Sequence, residues 1–379
     1  MLKVGITGQA GFIGTHLFNT LGLFPGKFTR IPFKDGFFND NRALEEFVSQ
    51  CEVIVHLAAM NRHNDPQVIY ETNIALVNKL IAACEATNAV PHILFSSSTQ
   101  EERDNLYGKS KKEGRELLGQ WAERNKGKFT GFVMPNVFGP FGNPYYNSVI
   151  ATFCHQLTHN EQPKIEVDSE INLIYVGELV NEIIGQIENR QSKTGEYSII
   201  DIVQVQHTSQ IKVSALLQKL TGYKENYFEK GIIPNLDDSF ERNLFNTFLC
   251  YIDHETFFPF QLKLNTDERG TFIETVKLNS GGQVSFSTTL PGITRGNHFH
   301  TRKAERFAVI KGKARIEIRK IGSDKILSFE LDGKEPSFVD MPVWFTHNIT
   351  NIGGEELYTI FWINEHFIPN DADTFFEKV

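Results

Sequence analysis

Three closely spaced glycines at the first strand-to-helix junction limit what this chain can fold into. Gly8, Gly11 and Gly14 follow the strand-like run Leu2–Thr7 and open a helical pattern. Glycine lets the backbone approach a phosphate closely, and the free N–H groups at a helix N-terminus favour an anion there. A plain tight turn is the alternative, but the position at the first βα junction favours binding of a dinucleotide pyrophosphate. The residues predicted to hold this cofactor are Gly8, Gly11, Phe12, Ile13 and Gly14.

The first part of the chain alternates between short apolar runs and helical patterns as far as about residue 135, as βαβ units of a parallel sheet do. Predicted strands include Val53–Leu57, Ile93–Ser96 and Gly131–Met134. From Ile69 to Cys84, apolar side chains recur every three or four residues, which predicts a helix with one face packed on the sheet. The fold predicted here is an α/β Rossmann-type doubly wound parallel sheet.

The sequence pattern changes after about residue 255, where short strand-like runs are separated by Gly, Pro and Asn/Asp turns. This pattern is typical of an all-β sandwich or jelly roll. The clearest runs are Gln283–Thr288, Arg306–Ile310, Ala314–Arg319 and Leu357–Trp362. Residues 223–259 have no clean periodicity, so the boundary is placed near Cys250, which predicts domains over residues 1–250 and 251–379.

The composition argues against several classes of partner. With 46 acidic and 38 basic residues the formal net charge is −8, so no general field attracts nucleic acid or an anionic membrane. The four cysteines lie far apart and form no CxxC pair, which favours a reducing compartment. The chain opens directly on a strand pattern, and no apolar run reaches the roughly 18 residues of a membrane span. We therefore expect a cytoplasmic protein.

A second group of polar residues lies further along the chain. Ser96, Ser97 and Ser98 end a predicted strand, and Tyr107 and Lys111 follow at a spacing that puts both on one helix face. A nearby ammonium favours the phenolate form of a tyrosine, which makes the phenol useful in proton transfer, and a serine hydroxyl can hold a carbonyl oxygen. Taken singly, these residues indicate only a solvated helix face and a turn, but the ordered combination is much rarer.

The glycine turn, His56-Leu57-Ala58-Ala59, the serines, Tyr107-x-x-x-Lys111 and Pro135–Gly139 together resemble the extended short-chain dehydrogenase/reductases that act on nucleotide sugars. The resemblance covers roughly residues 1–250. It implies that Tyr107 is the proton donor, that Lys111 lowers its pKa and holds the nicotinamide ribose, and that Ser98, or else Ser97, binds the reacting carbonyl. It further implies cofactor contacts from Leu57 and Ala58, and sugar-nucleotide contacts from Asn136, Asn147 and Ser148.

The choice between NADPH and NADH depends on the end of the second strand, where basic residues accept a 2′-phosphate and a carboxylate holds a 2′-hydroxyl. Arg30 and Lys34 lie in this region, and Asp35 follows slightly later. The basic pair favours NADPH. An exposed charged loop is the alternative interpretation.

A third group of residues, in the C-terminal part, has the spacing of metal ligands. His298 and His300 are two residues apart, so on a strand both face one side and can converge on one ion, which Glu305 and His347 would also bind. The two segments resemble the two motifs of the cupin superfamily over about residues 255–379, and neutral imidazoles suit zinc among other transition metals. One departure is Trp344, which stands where the second motif commonly has glycine.

The order of the two domains resembles that of bifunctional enzymes of bacterial capsular polysaccharide synthesis over essentially the whole chain. This resemblance implies a homodimer in which the cupin epimerises C3 of a UDP-4-keto-6-deoxy-N-acetylhexosamine. The reductase then reduces C4 with NADPH to UDP-2-acetamido-2,6-dideoxy-talose, on the route to UDP-N-acetyl-L-fucosamine. Two alternatives remain open: a nucleotide-sugar 4-epimerase with tightly bound NAD and a regulatory cupin, and a non-enzymatic sensor of sugar nucleotides or NADPH.

Overall fold

The structure is a computed structural model that describes residues 1–189, 198–268 and 270–379. Its contacts group the chain into two compact units. The first comprises residues 1–138, 142–149 and 169–211, and the second comprises residues 139–141, 150–168 and 212–379. Residues 212–250 thus group with the second unit, whereas the division predicted from the sequence falls at 250/251. Compact units need not coincide with functional domains, so the division into residues 1–250 and 251–379 stays a prediction.

The helices alternate with strands in the first half of the chain and become rare later. They are α1 (Phe12–Gly22), α2 (Asn41–Gln50), α3 (Pro66–Thr87), α4 (Leu106–Arg124), α5 (Val149–Thr158), α6 (Val176–Glu188), α7 (Val213–Tyr223), α8 (Ser239–Leu249) and α9 (His254–Phe257). The strands of the first unit are β1 (Leu2–Thr7), β2 (Phe28–Ile31), β3 (Val53–His56), β4 (His92–Ser98), β5 (Lys128–Met134), β6 (Asn136–Phe138), β7 (Glu170–Tyr175), β8 (Ile199–Gln204) and β9 (Ser209–Lys212).

A six-stranded parallel sheet in the order β2-β1-β3-β4-β5-β8 forms the centre of the first unit. All four residues of β3 and six of the seven in β4 are buried, as expected of strands covered on both faces. The α3 side chains that face the core include Ile69, Val77 and Cys84, which confirms the predicted helix face. The Rossmann-type α/β prediction is confirmed.

The second unit is rich in antiparallel strands. The strands of this unit are β10 (Ile232–Ile233), β11 (Phe260–Gln261), β12 (Asn265–Asp267), β13 (Gly270–Phe272), β14 (Lys277–Leu278), β15 (Gln283–Thr289), β16 (Thr294–Phe299), β17 (Glu305–Lys311), β18 (Lys313–Lys320), β19 (Ile326–Asp332), β20 (Ser337–Met341), β21 (Phe345–Asn351), β22 (Leu357–Ile363) and β23 (Phe375–Phe376). Ten of them build two five-stranded sheets, β11-β20-β17-β22-β15 and β19-β18-β21-β16-β23, while β10 pairs with β14 in parallel and β12 pairs with β13. Ala308, Ile316 and Val339 belong to the apolar cluster that fills this unit. The all-β prediction is confirmed in its architecture.

No described helix is both long and apolar enough to cross a bilayer.

Candidate functional site

The order of the parallel strands creates a crevice in the first unit. The chain runs from β1 to β2 on one side and then returns to β3 on the other side of β1. Ligands of open α/β sheets bind outside the carboxyl ends of the strands at such a switch point. The glycine turn after β1 and the segment after β3 therefore meet at one place.

Glycine is required in this turn because a larger side chain has no room and because the backbone at Gly8 has a left-handed conformation. Gly8 has φ +70°, and a Cβ on it would lie 2.8 Å from the backbone nitrogen of Ala58. A Cβ on Gly14 would lie 2.2 Å from the carbonyl oxygen of Gly8. Any larger residue would push apart the turn that exposes the N-terminus of α1. This cradle fits a dinucleotide phosphate, so the residues present fit a nicotinamide cofactor.

The crevice is a cleft of about 950 Å³ within the first unit, which is at the upper end of the range for small-molecule sites. Most residues predicted from the sequence line it. These are Gly8, Gly11, Phe12, Ile13, Gly14, Leu57, Ala58, Ser98, Tyr107, Lys111, Asn136, Asn147 and Ser148. Folding thus brings the predicted cofactor, catalytic and substrate residues of the first domain to one cavity.

The structure does not bring the two basic residues predicted for the 2′-phosphate to this cleft. The Arg30 guanidinium lies 4.2 Å from the centre of the Phe18 ring, and its Nη1 donates to the Phe18 carbonyl at 3.1 Å. Among the residues that the structure describes, neither Arg30 nor Lys34 lines the cleft, whereas Asp35 and Lys79 do. The sequence spacing could not predict this, because the direction of the Arg30 side chain is set by its packing on Phe18 of α1, a contact between two elements. Lys79 was missed because it lies on α3, far from β2 in sequence.

The three serines differ in how their hydroxyl groups are used. Ser96 Oγ donates to the carbonyl of His56 at 3.3 Å, and Ser97 Oγ donates to the carboxylate of Glu101. Ser98 Oγ instead accepts a hydrogen bond from the backbone N–H of Gln100 at 3.2 Å. Within the described residues no acceptor takes the Ser98 hydroxyl hydrogen, so that hydrogen is available to a carbonyl in the cleft. The geometry favours Ser98 over Ser97.

Tyr107 and Lys111 project from the first turns of α4. The helix begins where the Asn105 side chain accepts a hydrogen bond from the Gly108 N–H at 2.7 Å. Lys111 Nζ lies 5.9 Å from the centre of the Tyr107 ring and 3.4 Å from Ser96 Oγ. The expected i,i+4 arrangement of phenol and ammonium is therefore present, with the serines beside it.

Burial changes the acidity of both groups. It raises the pKa of Tyr107 to about 12, with a smaller contribution from Tyr146. Burial lowers the pKa of Lys111 to about 8, although the Glu101 carboxylate acts in the opposite direction. At neutral pH the phenol is protonated and the ammonium is charged, which is the state required for proton donation to a carbonyl oxygen.

Tyr146, which the sequence reasoning missed, also lines the cleft. Its hydroxyl accepts from the Asn61 N–H at 3.3 Å, and Asn147 Nδ2 donates to the Asn61 carbonyl at 2.6 Å. Tyr145 and Asn147 both have positive φ, of 60° and 56°. The two left-handed residues turn this loop towards the segment after β3.

The four predicted metal ligands converge in the second unit. His298 lies on β16, His300 just after it, Glu305 opens β17, and His347 lies on β21 directly opposite His298. One ligand atom from each of the four lies within 4.8 Å of the others. Glu305 Oε2 is 3.0 Å from His347 Nε2, 3.4 Å from His300 Nε2 and 4.0 Å from His298 Nε2.

The hydrogen positions in this cluster fit a bound cation. The Nδ1 atoms of His300 and His347 face the carbonyl oxygens of Asp373 and Phe345, and because a carbonyl can only accept, each Nδ1 carries the hydrogen. In the neutral form of each ring, Nε2 then presents a lone pair to Glu305 Oε2, and none of these three buried atoms has a hydrogen-bond partner in the described part of the chain. Lone pairs facing one another at this distance repel unless a cation lies between them.

Protonation supports the same conclusion. Burial, together with the nearby His347 and His300, lowers the pKa of His298 to about 4. Burial alone would raise the pKa of Glu305, but His300 and His347 hold it below its usual range; in return, although burial opposes it, the Glu305 carboxylate raises the pKa of His300. His298 is therefore neutral and Glu305 charged at neutral pH, and these are the forms of an imidazole and a carboxylate that bind a transition metal.

Trp344 occupies a backbone conformation that favours glycine. Its φ is +64°, its N–H donates to the His300 carbonyl at 2.7 Å, and its ring stacks on Phe299 with 5.6 Å between ring centres. The departure from the expected glycine therefore leaves both the turn and His347 in place.

Comparisons with known proteins gave a family match for the N-terminal part of the chain and another for the C-terminal part. Residues 4–200 match the NAD dependent epimerase/dehydratase family, and residues 265–375 match the polysaccharide biosynthesis C-terminal domain. The UDP-2-acetamido-2,6-beta-L-arabino-hexul-4-ose reductase of Pseudomonas aeruginosa is 32% identical over 375 residues, which cover 99% of this chain and 98% of the relative.

Solved structures show the same similarity. The capsular polysaccharide assembling protein CapF from Staphylococcus aureus is 34% identical, with a TM-score of 0.61 and full coverage of both chains. The UDP-glucose 4-epimerase of Thermotoga maritima, 19% identical with a TM-score of 0.51, covers 59% of this chain and 83% of its own, and shows the fold alone. The resemblance to capsular polysaccharide enzymes such as CapF, inferred from the sequence, is confirmed.

Proposed function

This chain belongs to the NAD dependent epimerase/dehydratase family, and we propose that it is an NADPH-dependent reductase of a UDP-linked 4-keto amino sugar. The observation that carries the proposal is the convergence of Ser98, Tyr107 and Lys111 on the cleft that the glycine turn opens. The P. aeruginosa relative, whose name describes a UDP-hexulose reductase, covers the whole chain and supports the substrate class.

The residues of the cleft would divide the chemistry as follows. When bound at the glycine turn, a nicotinamide dinucleotide would supply the hydride for C4 of the sugar. The Ser98 hydroxyl donates a hydrogen bond to the C4 carbonyl oxygen, and Tyr107 transfers its phenolic proton to that oxygen as negative charge develops there. The Lys111 ammonium stabilises the resulting phenolate and holds the nicotinamide ribose. Asn136, Asn147 and Ser148 would bind the sugar nucleotide.

We also propose that His298, His300, Glu305 and His347 hold zinc and that the cupin domain, residues 251–379, epimerises C3 before residues 1–250 reduce C4. When bound, the metal would supply a Lewis acid for the ketone beside C3. The buried cluster of facing lone pairs supports a cation at this position. The expected product is UDP-2-acetamido-2,6-dideoxy-talose, a precursor of UDP-N-acetyl-L-fucosamine in surface polysaccharide synthesis.

The proposal is tested by incubating the chain with UDP-4-keto-6-deoxy-N-acetylhexosamine, NADPH and zinc in deuterium oxide. We expect one NADPH oxidised per product and deuterium at C3 by NMR. Tyr107→Phe should slow NADPH oxidation by about 10²- to 10⁴-fold while C3 exchange continues. Undiminished oxidation by this variant would remove Tyr107 from its role. Turnover without net NADPH oxidation would instead favour a 4-epimerase with bound NAD.

We further propose that the chain forms a homodimer through β15. Within the described residues β15 pairs only with β22, and it exposes Val284 and Phe286 on one face, at 55% and 73% of their surface. An exposed apolar edge strand is a surface that associates. Sedimentation should show a dimer, and Phe286→Glu should shift it to a monomer. A wild-type monomer at micromolar concentration would contradict the proposal.

A further inference from the structure

A short segment of the chain, Asp371–Glu377, lies across the residues that carry the metal ligands, and we call it the strap. Its strand β23 pairs with β16, with Phe376 opposite His298 and Phe375 opposite Phe299. The Glu377 N–H donates to the Asn297 carbonyl at 3.0 Å, and the Phe375 ring stacks on Phe299 with 5.4 Å between ring centres. The strap is therefore hydrogen-bonded along the strand that ends at the ligand pair.

Asp373 is the centre of the strap. It is buried, and its carboxylate accepts from the backbone N–H groups of Thr301, Arg302 and Lys303 at 3.0–3.2 Å. It also accepts from Thr301 Oγ1 at 2.6 Å. One side chain thus holds three successive N–H groups of the loop between His300 and the strand that Glu305 opens. Asp373 has φ +43°, which turns its carboxylate and its own carbonyl towards the same loop.

The second contact of Asp373 acts directly on a ligand. Its backbone carbonyl accepts a hydrogen bond from His300 Nδ1, so it keeps the hydrogen on that nitrogen and leaves Nε2 with a free lone pair. The same ring would lose its ligand atom if the hydrogen moved to Nε2. A partner on the far nitrogen is the usual way in which a protein orients a histidine ligand and selects its tautomer.

We propose that the strap is a positioning element of the metal centre, in which Asp373 orients His300, selects its Nδ1–H tautomer and fixes the loop leading to Glu305. The inference rests on the proposed metal site and deepens it. A role in stability alone would leave the metal affinity of the folded protein unchanged, so affinity and tautomer are the readouts that separate the two roles.

The test compares Asp373→Ala with Asp371→Ala in the full chain. Asp371 lies in the same strap, but its carboxylate is 62% exposed and pairs with Arg302 at 2.7 Å, an exposed ion pair that contributes little. We expect Asp373→Ala to weaken zinc binding, measured by competition with a chromophoric chelator, by about 10- to 100-fold. Asp371→Ala should bind zinc as the wild type does.

A second variant covers the case in which Asp373→Ala does not fold. Asp373→Asn tolerates the positive φ but presents one oxygen where the carboxylate presents two, so it should also weaken zinc binding. Both substitutions keep the backbone carbonyl at position 373 but weaken the side-chain anchor that holds it against His300. Nitrogen NMR of His300 in the zinc-free protein should therefore show the Nδ1–H tautomer in the wild type and a mixture in the variant.

The outcomes separate the two proposals. Wild-type zinc affinity together with a wild-type His300 tautomer in a folded Asp373 variant would overturn the role of the strap. Equal weakening in Asp371→Ala would overturn it too, since the effect would then not be specific to Asp373. Absence of zinc binding by the wild-type chain would instead refute the proposed metal site itself.

Discussion

The charge on Lys111 is set by its burial, and it should control the pH dependence of reduction. Its lowered pKa of about 8 means that the ammonium loses its proton above that pH, whereas Tyr107, with a pKa of about 12, stays protonated. We expect kcat/KM for NADPH to be level below about pH 8 and to fall above it. Lys111→Arg should remove this fall, because a guanidinium stays charged. A wild-type profile that is level to pH 10 would contradict the assignment.

Cofactor preference is a second property of individual residues. Apart from Lys111, the charged residues that line the cleft within the described chain are Asp35 and Lys79. Lys79 is thus the group able to meet a 2′-phosphate, and Asp35 would oppose one. We expect Lys79→Ala to raise KM for NADPH and to leave KM for NADH unchanged, while Asp35→Asn lowers KM for NADPH. Equal changes with both cofactors would show that neither residue faces the 2′ position.

At the scale of elements, the turn between β1 and α1 depends on glycine at particular positions. A Cβ on Gly14 would overlap the Gly8 carbonyl at 2.2 Å, whereas a Cβ on Gly26 would meet nothing within 4 Å. We expect Gly14→Ala to weaken NADPH binding at least tenfold, measured by fluorescence titration, because the pyrophosphate turn must open. Gly26→Ala is the matched control and should bind normally. Normal binding by both variants would contradict the predicted cradle.

The turn before β21 offers an unusual comparison. Trp344 holds φ +64° and also packs on Phe299, so both backbone and ring contribute. Trp344→Gly and Trp344→Ala lose the same ring, but only glycine adopts this φ freely, which is worth about 1 kcal/mol. The thermal unfolding midpoint of the glycine variant should therefore be the higher. A higher midpoint for the alanine variant would show that the turn relaxes.

The boundaries of strands and helices in the structure can be compared with those predicted from the sequence pattern. The predicted runs Gln283–Thr288 and Ala314–Arg319 fall within one residue at each end of β15 and β18, because alternation and flanking turns are local signals. Helix α8, within the region predicted to lack periodicity, was missed. All residues of Leu244–Leu249 are buried, including the polar Asn246 and Thr247, so the helix is packed on several sides and the sequence shows no clear alternation of an apolar and a polar face.

At the scale of the whole molecule, the two chemistries should be separable in one chain. His298→Ala, or metal removal by a chelator, should abolish deuterium incorporation at C3. Reduction of a substrate that is already epimerised should continue at the wild-type rate, because the residues assigned to reduction line a cleft of the first unit. Both rates are measured by NMR and NADPH absorbance. Unchanged C3 exchange after metal removal would refute a role of the metal in epimerisation.

The sequence by itself determined the two fold classes and the candidate residues, because each rests on spacing along a strand, a turn or a helix. The chemistry can be predicted from spacings of a few residues in three places: the glycines at the first βα junction, Tyr107 with Lys111, and His298 with His300. Such local geometry follows from backbone periodicity alone.

Only the tertiary structure decided where side chains from distant segments point. It packs Arg30 on Phe18 and away from the cleft, and it brings Lys79 into the cleft. It also binds the Ser97 hydroxyl to Glu101, whereas the hydroxyl hydrogen of Ser98 stays available. It also placed the Asp373 carbonyl on His300, a residue 73 positions earlier. Such contacts depend on the packing of elements against one another, and packing has no signature in local spacing.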